Sequence, residues 1–229
     1  MNFATISADV ISYTSLKDSE RRKLESDIKQ LINDLSEKYK KQSFFGRLVQ
    51  GDYIECAINN PEYALRIALL LKTYIKSIAI QAEKKDKSRL KYFSEYGIRL
   101  AVAIAPLDTL DPKKGIIDGE AIYLSGRAIK SYSTSDKQKI VIKHTMFFYS
   151  SNSEYQKHVD VLFSLLDTIL SRYSSKQSEV VFYKLLGLSE KEIAIKLGKS
   201  QSTISQHSTS AGWLSIEKAV NYFEHIFKQ

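Results

Sequence analysis

Residues 43–58, Ser-Phe-Phe-Gly-Arg-Leu-Val-Gln-Gly-Asp-Tyr-Ile-Glu-Cys-Ala-Ile, decide the fold. Ser43 to Val49 and Tyr53 to Ile58 are short strand-like runs, and Gly51-Asp52 between them is the turn chemistry of a β-hairpin. Upstream, Asp18 to Lys40 carries Leu24, Ile28, Leu31, Ile32, Leu35 and Tyr39 at helical spacing on a charged background, which predicts an amphipathic helix. Residues 2–9, Asn-Phe-Ala-Thr-Ile-Ser-Ala-Asp, read as a strand ending at Asp9. Downstream, Pro61 opens a long apolar helix to about Ala82, a basic loop covers Lys84 to Lys91, and residues 97–105 (Gly-Ile-Arg-Leu-Ala-Val-Ala-Ile-Ala) form a buried strand. Ile117 to Ser131 predicts another helix, and Lys139 to Ile142 a short closing strand. From about Thr145 the pattern is helical only, with breaks near Ser150–Ser153 and Ser174–Ser175. The expectation is an α+β fold: a ferredoxin-like βαββαβ domain over residues 1–150, then an all-α domain over residues 151–229.

A chain of 229 residues can bury a substantial core. Its one cysteine, Cys56, excludes an internal disulfide and reads as a buried thiol in an apolar run. The greasiest stretch, Ala64 to Ile80, is interrupted by Arg66, Lys72 and Lys76, so it is not expected to cross a membrane. Met1 to Ile11 contains Asp9 and does not read as a secretory leader. The expectation is a soluble, cytoplasmic protein with no membrane partner. A net charge of +8 invites a nucleic-acid reading, but its distribution weakens it. Beyond Leu186, lysines 191, 196, 199, 218 and 228 nearly balance glutamates 190, 192, 217 and 224, while much of the excess sits in the solvated 84–91 run.

The topology gives two acidic residues their interest. In a βαββαβ sheet the first and third strands are antiparallel neighbours, so Asp9 and Asp52 are expected at one sheet edge. Two carboxylates there suit Mg²⁺, a hard cation held by one or two carboxylates plus substrate phosphates. The alternative is that Asp9 caps a turn and Asp52 is simply a favoured hairpin residue.

Near the carboxy terminus, Gln177 to Leu186 predicts a helix ended by Gly187-Leu188, and Ser189-Glu190-Lys191-Glu192 is a capping box. The next helix should pack through Ile193, Ile195 and Leu197 and close at Gly198; a third runs from Gln201 through Ile204 to about Ser208. The phrase from Leu188 to His207 resembles the helix-turn-helix of many bacterial regulators. Such a pair sets the start of its second helix in the major groove. Gln201, Ser202, Thr203, Ser205, Gln206 and His207 then face base edges, and Lys199 a phosphate. A helix-turn-helix is also a common packing unit, which leaves protein contact or chain pairing through Trp213 and Ile216, Ala219, Val220, Tyr222, Phe223 and Ile226 as the alternative.

Four segments, in order, carry a family resemblance. Asp9-Val-Ile-Ser-Tyr-Thr14 resembles the Asp-Ile-x-Gly-Phe-Thr segment of class III nucleotide cyclases, and Gly51-Asp52 their Gly-Asp turn. Residues 97–106 resemble their Arg-x-Gly-Ile-x-x-Gly strand, and 119–127 (Gly-Glu-Ala-Ile-Tyr-Leu-Ser-Gly-Arg) their Gly-x-x-Val-Asn-x-Ala-x-Arg run. The resemblance implies that Asp9 and Asp52 bind metal, that Arg127 stabilises a phosphate transition state, and that the site forms between two chains. The departures are Tyr123 at the transition-state asparagine, Leu48 at the purine-selecting lysine and Ile116 at the acidic position, with Asp118 two residues away. Conventional cyclase activity is therefore not expected. The chain is also similar to bacterial SatD-like proteins, which share the opening strand with its Asp, the Gly-Asp hairpin, the Asp118-Gly-Glu-Ala-Ile122 run and a terminal helix-turn-helix. The reading that follows is a homodimeric, DNA-binding transcriptional regulator with a degenerate cyclase-like domain for sensing a nucleotide or for dimerisation. The alternative is a Mg²⁺-dependent nucleotide-binding or nucleotide-cyclising enzyme using Asp9, Asp52 and Arg127.

Overall fold

The computed structural model describes residues 2–80, 87–132 and 142–228. It is a mixed α+β structure. Strands β1 (Asn2–Val10), β2 (Phe45–Val49), β3 (Tyr53–Ile58), β4 (Ile98–Pro106) and β7 (Met146–Ser150) form a five-stranded sheet of order β2-β3-β1-β4-β7. Every pairing is antiparallel except the parallel pair β4–β7. A separate hairpin, β5 (Thr109–Asp111) with β6 (Ile116–Asp118), precedes helix α4 (Glu120–Tyr132).

The period-two alternation of β1 gives the sheet two unlike faces. Ala4, Ile6, Ala8 and Val10 enter the main apolar cluster under α1 (Asp18–Lys38) and α2 (Ala64–Ser77). Thr5 and Ser7 point the other way, where their hydroxyls meet Ser125 Oγ of α4 at 3.2 and 2.8 Å. Both are buried, so this small hydroxyl cluster satisfies groups that would otherwise lose their solvent partners.

The helices α5 (Ser153–Ser171), α6 (Ser175–Leu185), α7 (Glu190–Leu197), α8 (Gln201–Ser210) and α9 (Trp213–Phe227) follow the sheet. The main cluster crosses residue 150: Phe148 of β7 lies 5.3 Å from Phe163 of α5 and 6.2 Å from Phe223 of α9, ring centre to ring centre. Tyr74 of α2 meets Phe182 of α6 at 5.1 Å. Arg66 of α2 completes the joint, its Nε 2.6 Å from Glu224 Oε1 and its Nη1 donating to the Leu185 carbonyl.

Several sequence expectations change here. After a short 3-10 turn at Pro61–Tyr63, the apolar helix ends at Ser77 rather than near Ala82. The expected basic loop is helical from Lys87 onward, as α3 (Lys87–Tyr96), because Leu90 and Phe93 are buried one turn apart. Lys84 to Asp86 lie outside the described residues. Residues 116–118 are strand and the next helix begins only at Glu120. Gly119 separates them at φ +130°, where an added Cβ would stand 2.6 Å from the Asp108 nitrogen. The proposed closing strand at Lys139–Ile142 falls outside the described residues except for Ile142, which is not in a strand. Met146–Ser150, expected to be helical, is instead β7: a five-residue apolar run fits either state, and pairing with β4 decides it.

Candidate functional site

Register brings the two acidic residues together. Asp9 stands opposite Tyr53 on one side and Arg99 on the other, and the Val10 N–H donates to the Asp52 carbonyl at 3.0 Å. Asp52 thus sits in the hairpin turn beside the end of β1. Each carboxyl is pushed up mainly by burial. Asp9 reaches about 6, because burial and the nearby Asp52 outweigh the opposing pull of Arg99. Arg99 Nη1 donates to Asp9 Oδ2 at 3.0 Å, while Asp9 Oδ1 is buried without a hydrogen-bond partner among the described residues. Behind the turn, the Tyr13 hydroxyl donates to Glu25, and a Cβ on Gly51 would stand 2.6 Å from the Tyr13 oxygen.

Arg127 belongs to helix α4 rather than to the sheet strands. It is exposed on α4, where its charge acts on Tyr123, whose hydroxyl donates to Asp118. The guanidinium bonded to Asp9 belongs to Arg99, a residue visible in the sequence as a lone charge in an apolar strand. Among the described residues no group of three His, Cys, Asp or Glu side chains could hold a metal, so any cation here would have two carboxylates and its own water or phosphate ligands. Cys56 is buried and its thiol pushed up by burial, which makes it inert.

Two further buried cations escaped the sequence reading because they appeared only as interruptions in the apolar helix. Lys72, with 1% of its side chain exposed, donates to Ile98 O at 2.9 Å and Thr145 Oγ1 at 2.7 Å, and pairs with Asp167 of α5 at 3.8 Å. One turn on, Lys76 donates to the carbonyls of Glu95, Leu170 and Ser171, at the ends of α3 and α5. Burial lowers Lys72 to about 8 and Lys76 to about 7.

The carboxy-terminal candidate is built locally. Ser189 accepts from the Glu192 N–H at 3.3 Å and its own N–H donates to Glu192 Oε2 at 2.7 Å, closing the capping box at the start of α7. Gly198 ends α7, and Ser200 caps α8 by accepting from the Thr203 N–H. Ile204 and Ser208 are buried, which turns Gln201, Ser202, Gln206 and Thr209 outward, with Ser205 and His207 half-buried beside them. The Ser202 and Thr203 hydroxyls are both bonded to Ser200 Oγ at 2.9 Å, so they serve the cap. Lys199 is exposed at the turn.

Two expectations are corrected in this region. Ile195 is 75% exposed; α7 packs through Ile193 and Ala194, with Leu197 partly buried, because a residue two positions from Ile193 lies on the far side of a helix. Of the chain-pairing surface expected from Trp213, Ile216, Ala219, Val220, Tyr222, Phe223 and Ile226, all but Tyr222 and the half-buried Ile226 are buried within the chain, which leaves Leu214 and Tyr222 as the exposed large apolar side chains of α9. No known protein-family model matches the chain, and no curated protein matches it. No described helix is long and apolar enough to cross a membrane.

Proposed function

We propose that the protein is a DNA-binding transcriptional regulator whose α+β part is a degenerate nucleotide-cyclase-like domain, used to sense a nucleotide or phosphorylated ligand or to pair two chains. The observation that carries this reading is the outward face of α8. Gln201 and Gln206 present exposed amide groups on a capped helix that follows α7 across the turn Gly198-Lys199-Ser200, as a recognition helix does. Few cations line that face, so phosphate contacts are few and a homodimer would double them. The protein would act in the cytoplasm.

The strand order β2-β3-β1-β4, with α1 following β1 and α2 following β3, supports reading the first part as a ferredoxin-like split βαββαβ unit, and with it the cyclase-like reading. The convergence of Asp9 and Asp52 favours a second reading, a Mg²⁺-dependent nucleotide-binding or nucleotide-cyclising enzyme. The unpartnered Asp9 Oδ1 fits one hard cation completed by phosphate oxygens. Asp9 and Asp52 would hold that cation; Arg127 would need to reach phosphate from its exposed position on α4.

Gel shift on genomic fragments over a salt series tests the leading reading. Binding that weakens with salt and is lost in Gln206→Ala is expected; no shift even at low salt would overturn it. Incubation with each nucleoside triphosphate and Mg²⁺ or Mn²⁺ tests the second: product that disappears in Asp52→Asn supports it, and no product from any triphosphate ends the cyclising form.

A further inference from the structure

The end of the sheet that carries Asp9 also carries the buried charges of α2 and α5. Arg99, with 3% of its side chain exposed, binds Asp9, and Lys72, with 1% exposed, pairs with Asp167. Lys72 Nζ donates to the carbonyl of Ile98, the residue beside Arg99, and feels the charges of Asp167, Arg99 and Asp9, so the two pairs adjoin as one set of two cations and two anions in which Asp9 alone keeps partial exposure. At low effective dielectric such charges act over longer distances than surface pairs, and changing one leaves another uncompensated.

The set continues mechanically into the helices. Thr145 bonds Asp167 through both its N–H and its hydroxyl, while its carbonyl accepts from Leu100 N–H of β4 at 2.8 Å. One turn beyond Asp167, Lys76 holds the last carbonyls of α5. Tyr173, between α5 and α6, then donates its hydroxyl to the Ala211 carbonyl at 2.5 Å, and Ala211 is the residue that ends α8. Polar contacts joined by short backbone steps therefore lead from Asp9 to the far end of α8: Ile98, beside Arg99, accepts from Lys72, and Leu170, one turn past Asp167, accepts from both Lys76 and the Tyr173 N–H.

We propose that Asp9–Arg99 and Lys72–Asp167 act as one buried electrostatic unit, through which a charge arriving at Asp9 shifts the seating of the α5 carboxy terminus and, through Tyr173, of α8. The regulatory sense of this coupling rests on the reading of the Asp9–Asp52 end as a ligand site; the coupling itself does not. A cation at Asp9 Oδ1 would draw the carboxylate's charge from Arg99 and leave Arg99 and Lys72 to share Asp167. Lys72 and Asp167 would then readjust around Thr145.

A double-mutant cycle on the full chain tests the coupling without any ligand. Asp9→Asn and Asp167→Asn keep side-chain shape, and urea unfolding gives the equilibrium constant of each variant and of the pair. The pair is expected to depart from additivity by about fivefold, and agreement within about twofold would overturn the coupling. Should Asp167→Asn fail to fold, Thr145→Val takes its place in the cycle. Hydrogen exchange of the wild-type chain with and without Mn²⁺ reads the transmission: changed protection at residues 167–178 and 205–212 is expected. Calorimetric Mn²⁺ binding with unchanged protection there would overturn it. Absence of Mn²⁺ binding would instead count against the metal site, with the cycle still deciding the coupling.

Discussion

The sheet end and the α7–α8 pair are opposite ways of building a polar site. At the sheet end, Asp9, Arg99, Lys72 and Asp167 come from β1, β4, α2 and α5, are separated by up to most of the chain, and lie largely out of water. In the α7–α8 pair, Ser189, Gly198, Ser200, Gln201 and Gln206 fall within a short stretch, and their side chains are set by caps and helical period. The first is therefore sensitive to global packing and to pH, the second to local helix stability. Both nonetheless rest on one apolar cluster, since Phe148 of the sheet touches Phe163 and Phe223 of the helices.

That shared cluster gives the largest test of the contrast. Phe223→Ala is expected to cost about 3–5 kcal/mol and to destabilise sheet and helices together. Urea unfolding followed by Trp213 fluorescence and by far-UV circular dichroism should give coincident transitions; separate midpoints would show that the two regions fold apart. A second test isolates the buried cations. An unfolded lysine binds its proton up to about pH 10.5, whereas Lys76 in the folded chain releases it near about 7. Between those values the unfolded state holds more protons, so this residue makes stability rise with pH, by up to about 1 kcal/mol per pH unit. Lys76→Met should remove that part of the slope in urea titrations at pH 7 to 10, and an unchanged slope would contradict the assignment. Ser189→Ala tests the local region and is expected to cost about 1 kcal/mol through the lost cap, with its loss of amide protection confined to α7. The smallest effect on stability belongs to Gln206→Ala, within about 0.5 kcal/mol, although it is the substitution expected to abolish a gel shift.

The same contrast explains what could be read in advance. Hairpin 43–58, helix α1 and the cap of α7 were legible because turn chemistry, helical spacing and Ser-x-x-Glu act over a few residues. The adjacency of Asp9 and Asp52 was legible one step further, since it follows from strand order. Arg99 as the partner of Asp9 was not, because a single arginine in an apolar strand does not say which neighbour it will face. Strand β7 was missed for a similar reason: Met146–Tyr149 satisfies helix and strand alike until β4 offers an edge.

By itself, then, the sequence determined the secondary elements with strong periodicity, their capping and the polar surface of α8, all properties of contacts close along the chain. Only the tertiary structure decided that Lys72 and Lys76 would be buried and which anion or carbonyls would receive them. It also decided that the core of the sheet would run on into the last helix. Those outcomes depend on which distant groups share a low-dielectric interior, and no local pattern encodes that.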